Sequence, residues 1–247
     1  MKLKLLFSTC TLAFGLISST NNYASEKTMK TDTITKATYI SLESKPETAS
    51  QLEAFLQKGS TLVHQTEPGT PLWFGLKEHE NFAIFDLFYN ETGREQHFSG
   101  QVASALKERA PELVKGDWEK GVVKNITHFD LIATNHFNKE KILNSKVANL
   151  IVFKVKPGKE QEIELFLHEA SQVIDAAEPR TYFWVALKTD ANTYAIFDAF
   201  PDQNGQKAHF SGKVAAQLKN NADRFIVNGW EKGIIANIHN FEIIALS

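Results

Sequence analysis

The apolar positions along the chain change period in a fixed order, and the order occurs twice. Thr38 to Glu43 alternates side to side, the two-residue period of a half-buried strand. After Pro46-Glu47, Leu52, Phe55, Leu56, Gly59, Leu62 and Val63 recur at three and four residues, which predicts a helix with one apolar stripe. Two strands are predicted next, Leu72 to Lys77 and Phe82 to Tyr89, joined by a polar turn. A second helix is predicted over Thr92 to Glu108, with Phe98, Val102, Ala105 and Leu106 facing inward. A short helical turn then carries Trp118, and a strand from Val122 to Ala133 closes the unit.

The second pass repeats each step. It has a strand from Leu150 to Val155, then a helix stripe of Ile163, Phe166, Leu167, Ala170, Val173 and Ile174. Strands follow over Tyr182 to Lys188, Tyr194 to Phe200 and Ile234 to Leu246. Identity accompanies the pattern: His97-Phe98-Ser99-Gly100 returns as His209-Phe210-Ser211-Gly212, and Trp118-Glu119-Lys120-Gly121 as Trp230-Glu231-Lys232-Gly233. Glu67-Pro68 and Trp73 fall on Glu178-Pro179 and Trp184. The chain is a tandem duplication. The boundaries expected are 37–134 for the first unit, a polar Lys/Asn-rich linker over 135–147, and 148–247 for the second.

Each unit reads β-α-β-β-α-β, the split, ferredoxin-like order. A four-stranded sheet with both helices on one face leaves its other apolar face bare, and such faces are buried against one another. The expected fold is therefore α+β: two tandem ferredoxin-like units forming an intramolecular pseudo-dimeric barrel.

Composition narrows the function classes. The formal net charge is -2, with basic residues scattered, which gives no electrostatic case for nucleic acid. Met1-Lys2-Leu3-Lys4, the apolar run Leu5 to Ile17 and the small polar stretch to Ser25 predict a signal peptide over 1–25, and hence a periplasmic or secreted protein. The apolar run is too short for stable membrane insertion. The one cysteine, Cys10, would leave with the signal, so no disulfide or thiolate metal site is expected. The remaining histidines show no metal-binding spacing, and no nucleotide or flavin fingerprint is present.

What remains is a doubled set of polar and aromatic side chains. His97 and His209 are either buried histidines bonded to a neighbour or proton acceptors for a bound phenol, since an imidazole titrates near neutrality. Trp73 and Trp184 are either core aromatics or walls on which a substrate stacks. Asp86 and Asp198 share a strand face with apolar residues, where an unpaired carboxylate is costly. Each either pairs with a cation or amide, or keeps a raised pKa for a site. Asn125 and Asn237, ahead of the last strand, could bond a loop or a substrate oxygen. Trp118 and its copy read as anchors of a structural cap, and Lys107 and Lys219 as solvated helix positions.

The Glu-Pro turns at Glu67-Pro68-Gly69 and Glu178-Pro179-Arg180, the aromatic strand after each and the His-Phe-Ser block on the second helix are similar to those of antibiotic biosynthesis monooxygenase (ABM) domains of the dimeric α+β barrel superfamily. The resemblance covers both units. It implies a cofactor-independent monooxygenase acting with O2 on a phenol or hydroquinone in an apolar pocket between sheet and helices, with His97 and His209 as catalytic bases. Trp73, Trp184, Asp86, Asp198, Asn125 and Asn237 would then contact substrate, with no cofactor and no metal. The haem-degrading branch is marked by an Asn on the first strand and by a Trp and a ligating His on the second helix. Here those slots hold Thr38 and Asn149, His97 and His209, and Lys107 and Lys219, a poor match. The alternative is a non-catalytic secreted protein binding a small aromatic or lipophilic ligand, or haem. Partners expected are a small aromatic molecule and O2, with the two repeats pairing with each other and a further homo-oligomer left open.

Overall fold

A computed structural model describes residues 33–247, which form one compact body. The predicted signal peptide lies outside the described residues. The first repeat runs β1 (Lys36–Glu43), α1 (Ala49–Thr66), β2 (Leu72–Glu78), β3 (Asn81–Phe88), α2 (Glu91–Phe98), α3 (Gln101–Leu113) and β4 (Ile126–Thr134). A short helix α4 (Lys139–Ile142) leads to the second repeat. That repeat runs β5 (Val147–Lys154), α5 (Glu160–Ala177), β6 (Phe183–Lys188), β7 (Thr193–Phe200), α6 (Gln203–Phe210), α7 (Lys213–Phe225), α8 (Gly229–Gly233) and β8 (Ile238–Leu246).

All strand pairs are antiparallel, and the order β1-β3-β2-β8-β5-β7-β6-β4 closes on itself. Within each repeat the order is the ferredoxin-like one, with the first strand between the third and fourth. The two seams between repeats are β2 on β8 and β4 on β6, and each carries a register shift, between Gly75 and Leu76 and between Leu131 and Ala133. No hairpin fixes register at a seam, so a bulge absorbs the mismatch. Closure removes the free edges that an open sheet would expose.

Alternation along each strand separates two kinds of core. Inward positions fill the barrel: Leu72, Phe74, Leu76, Phe85 and Leu87 meet Phe183, Val185, Leu187 and Phe197. Phe85 and Phe197, the same position in the two repeats, stack with ring centroids 3.9 Å apart. Outward positions face the helices, where Ile40, Trp73, Phe82 and Ile84 pack on Leu52, Leu56, Val63, Val102 and Leu106. Ile151, Trp184, Tyr194 and Ile196 do the same on Ile163, Leu167, Ile174, Val214 and Leu218. The apolar stripes read from the sequence are the buried faces of these helices.

Three expectations need correction. The second helix of each repeat is two helices, broken at Ser99-Gly100 and Ser211-Gly212. The closing strands start later than predicted, because residues 117–125 coil into a π-helical turn followed by a 3-10 turn, and residues 229–237 into α8 and a 3-10 turn. The linker is built into the fold. Ile142 is fully buried in the barrel core with Phe137 packed against it, and the Asn135 side chain accepts from the Trp184 amide at 2.9 Å and donates to the Thr181 carbonyl. In the other half Ser247 takes that place, exchanging backbone bonds with Trp73.

Because one apolar interior serves both repeats, they should unfold together. Phe197→Ala removes a fully buried ring from that interior and should cost about 3–5 kcal/mol. Calorimetry should show a single transition shifted down; two transitions, with only one of them moved, would contradict the shared core.

Candidate functional site

The three repeated motifs that are far apart in sequence meet in space. Glu67 stands at the end of α1, Asp86 is on the outward face of β3, and His97 is in the last turn of α2. The His97 ring is wedged between the two carboxylates: Nδ1 is hydrogen-bonded to Glu67 Oε2, and Nε2 lies 3.1 Å from Asp86 Oδ2. The second repeat builds the same chain, with His209 Nδ1 2.6 Å from Glu178 Oε2 and Nε2 3.5 Å from Asp198 Oδ2. Thr181 adds a bond from its hydroxyl to Glu178 Oε2 at 2.9 Å.

The local sequence explains why the chain can be built. Asn90 and Asp202 cap the N-termini of α2 and α6 through bonds from the amides of Gly93 and of Asn204 and Gly205. That sets the helical phase so that His97 and His209 point at the sheet, while Phe98 and Phe210 pack beside them. Glycine stands at each helix break for a steric reason. A Cβ on Gly100 would lie 2.8 Å from Glu67 Oε1, and one on Gly212 2.8 Å from Glu178 Oε1. Both distances are closer than a side chain tolerates, so the glycine of His-Phe-Ser-Gly makes room for the glutamate.

Asp86 pairs in register with Trp73 on β2 and Thr38 on β1, and Asp198 with Trp184 and Asn149. Both aspartates are fully buried. Burial raises the Asp86 carboxyl above its ordinary value against the pull of His97, and pushes Asp198 up to about 7 against His209. Burial alone would lower the histidines. The flanking carboxylates override it, so His97 is pushed up to about 10 and His209 also rises. The carboxylates on either side thus favour the protonated imidazole in each chain. Glu67 Oε1 and Glu178 Oε1 are buried and accept no hydrogen bond from the protein.

Each chain reaches the surface at a cleft of about 290 Å³ between its Glu-Pro turn and the helix break. The first is lined by Thr66, Glu67, Gln96, His97, Gly100 and Gln101, and the second by Ala177, Glu178, Ala208, His209, Gly212 and Lys213, among others. These clefts are not between sheet and helices, where the resemblance had implied a pocket; in both halves that layer holds core side chains.

The other expected substrate contacts are not brought to the clefts. Trp73 and Trp184 are buried in the helix–sheet cores and line neither cleft. Asn125 donates to the Gly121 carbonyl at 2.9 Å, and Asn237 to those of Lys232 and Gly233, tying off the turn before the last strand. Lys107 lies over the Trp118 ring at 6.0 Å, a surface packing contact rather than an axial ligand. Among the described residues no group of three or more His, Cys, Asp or Glu is arranged to hold a metal ion, and no helix is long and apolar enough to cross a membrane. Reading the sequence missed the glutamates as site residues, although the repeated Glu-Pro pair was their signal.

The buried chains make stability depend on pH. A histidine with a folded pKa near 10 and an ordinary value of 6.5 contributes fully below about pH 6.5 and loses that contribution as pH rises toward 10. Asp198, raised from 3.8 to about 7, adds a fall of the same sign between those values. The melting temperature should therefore drop by several degrees between pH 6.5 and 10, and His97→Gln should flatten the drop. An unchanged slope in that variant would show that the histidine is not held protonated.

No family model matches the sequence, and no curated protein does. Solved structures match it by fold. A "putative monooxygenase" from Lactobacillus acidophilus superposes with a TM-score of 0.68 at 14% identity, over 87% of this chain and 96% of that one. A protein of the same description from Fusobacterium nucleatum gives 0.67 at 13% identity, over 87% and 94%. An anthrone oxidase-like protein gives 0.53 at 10% identity, over 88% and 94%. Identities this low establish shared architecture and leave chemistry to the site. By fold, the chain is a ferredoxin-type α+β barrel whose two halves close within one polypeptide, an architecture it shares with these structures.

Proposed function

We propose that the protein is a cofactor-independent monooxygenase that oxidises a phenol or hydroquinone with O2. The observation that carries this reading is the buried Glu–His–Asp chain, built twice and opening each time on a small cleft. The fold it shares with proteins described as monooxygenases supports the same class.

In this reading the first acceptor of the substrate proton is Glu67 Oε1 or Glu178 Oε1, which accept no hydrogen bond from the protein; the aspartate oxygens also lack a donor, but only the glutamates line the clefts. His97 and His209 act through the glutamates rather than on substrate, because a carboxylate faces each ring nitrogen. Each imidazole holds its glutamate in place and shares a proton with it, and the buried aspartate behind keeps the ring protonated. The resulting phenolate is electron-rich and passes one electron to O2; superoxide and the substrate radical then combine. For a hydroquinone the sum is one O2 in, a hydroxyquinone and one water out. All four electrons come from the substrate, so no external reductant is required.

An oxygen electrode with a panel of hydroquinones and polycyclic phenols tests this. Uptake without added flavin or metal is expected. Replacing both histidines, His97→Gln with His209→Gln, should slow it by at least about 100-fold while the protein still melts cooperatively. Ligand retention with no uptake would instead identify a non-catalytic binding protein, and uptake indifferent to the double substitution would remove the Glu–His–Asp chains from the mechanism.

A further inference from the structure

The two clefts are copies in backbone and in their buried Glu–His pair, but their walls have diverged in one direction. Where the first has Thr66, Gln96 and Gln101, the second has Ala177, Ala208 and Lys213 at the corresponding positions. Val173 also lines the second cleft, and Pro179 does so as Pro68 does in the first, so the second wall is more aliphatic and carries two new cations, Arg180 and Lys213. The turn differs too. Gly69 packs so tightly on Gly93 that a Cβ on either would come within 2.9 Å of the other's backbone, whereas the Arg180 turn stands farther from Gly205.

The charges of the second cleft are not equivalent. Arg180 is held by Asp202, with both carboxylate oxygens within 2.6 Å of Nη2. Lys213 is exposed and makes no salt bridge among the described residues. The cleft thus offers one uncommitted cation at its rim, an apolar wall, and a buried carboxylate oxygen, Glu178 Oε1, that lacks a donor. A ligand that satisfies all three has an anionic group, a small hydrophobic ring and a hydroxyl that donates. The volume suits one or two rings.

We infer that the second-repeat cleft, and not the first, is the binding site, and that it takes a hydroxyaryl carboxylate: carboxylate on Lys213, ring against Ala177, Pro179 and Ala208, hydroxyl to Glu178. The first cleft keeps the Glu–His–Asp chain as a staple between helix and sheet. This deepens the proposed function by naming one working half and the charge of its substrate, and it rests on that reading only for what happens after binding.

The test is calorimetric titration of the protein with 4-hydroxybenzoate under anaerobic conditions, beside its neutral methyl ester. One molecule of 4-hydroxybenzoate per chain is expected. Lys213→Gln, which restores the residue type of the first cleft at an exposed position, should weaken that binding at least ten-fold and leave the ester unchanged. Two sites per chain, no binding, or equal weakening of acid and ester would overturn the assignment. Oxygen uptake is read separately. Binding that follows this pattern without turnover sinks the oxidation and leaves the site standing. Uptake of hydroquinones that is insensitive to Lys213→Gln, with no 4-hydroxybenzoate bound, sinks only the site.

Discussion

The molecule depends on the need to cover the second face of each sheet. Two helices shield one side of a four-stranded ferredoxin-like sheet, and the strands carry phenylalanine and leucine on the other. Leaving that side in water would forfeit roughly 25 cal/mol for every Å² of apolar area exposed. Duplication supplies the cover in the same chain, with Phe85 of one copy stacked on Phe197 of the other. The linker and Ser247 finish the job at matching places, Asn135 and Ser247 bonding to the tryptophan at the second position of β6 in one half and of β2 in the other.

Closing the barrel also fixes where polar chemistry can go. The inward face is filled, so each repeat puts its ionisable cluster on the outward face, under the helix break. The aspartates are tolerated there because a histidine reaches each of them, and the histidines because a glutamate holds the other nitrogen. Each carboxylate–imidazole–carboxylate chain bonds the end of one helix to another helix and faces the imidazole toward a strand carboxylate at 3.1 or 3.5 Å, and its glutamate lines a cleft. One arrangement staples helix to helix beside the sheet and lines a cleft, and the walls of the two clefts have diverged between the copies.

The expected architecture is the one observed, while the clefts that the Glu–His pairs line lie elsewhere than the layer the resemblance implied. The resemblance pointed to the layer between sheet and helices, where Trp73 and Trp184 are buried; a Cβ on Gly75 would lie 3.3 Å from the Trp73 ring. Asn125 and Asn237 turned out to close local turns because an amide side chain four residues after a carbonyl finds it before any ligand does.

The sequence by itself determined the duplication, the order of elements, the helix stripes and the closed pairing of halves, because periodicity and an uncovered apolar face depend only on residue type and spacing. It also marked His97, His209, Asp86 and Asp198 as residues whose polarity needs an explanation. Only the tertiary structure decided what that explanation is. Glu67, Asp86 and His97 lie on three separate elements, and no local pattern encodes which oxygen meets which nitrogen. The helix break at Ser99-Gly100 was hidden for the same reason. That glycine is required by the carboxylate of Glu67, which folding brings against it from another helix.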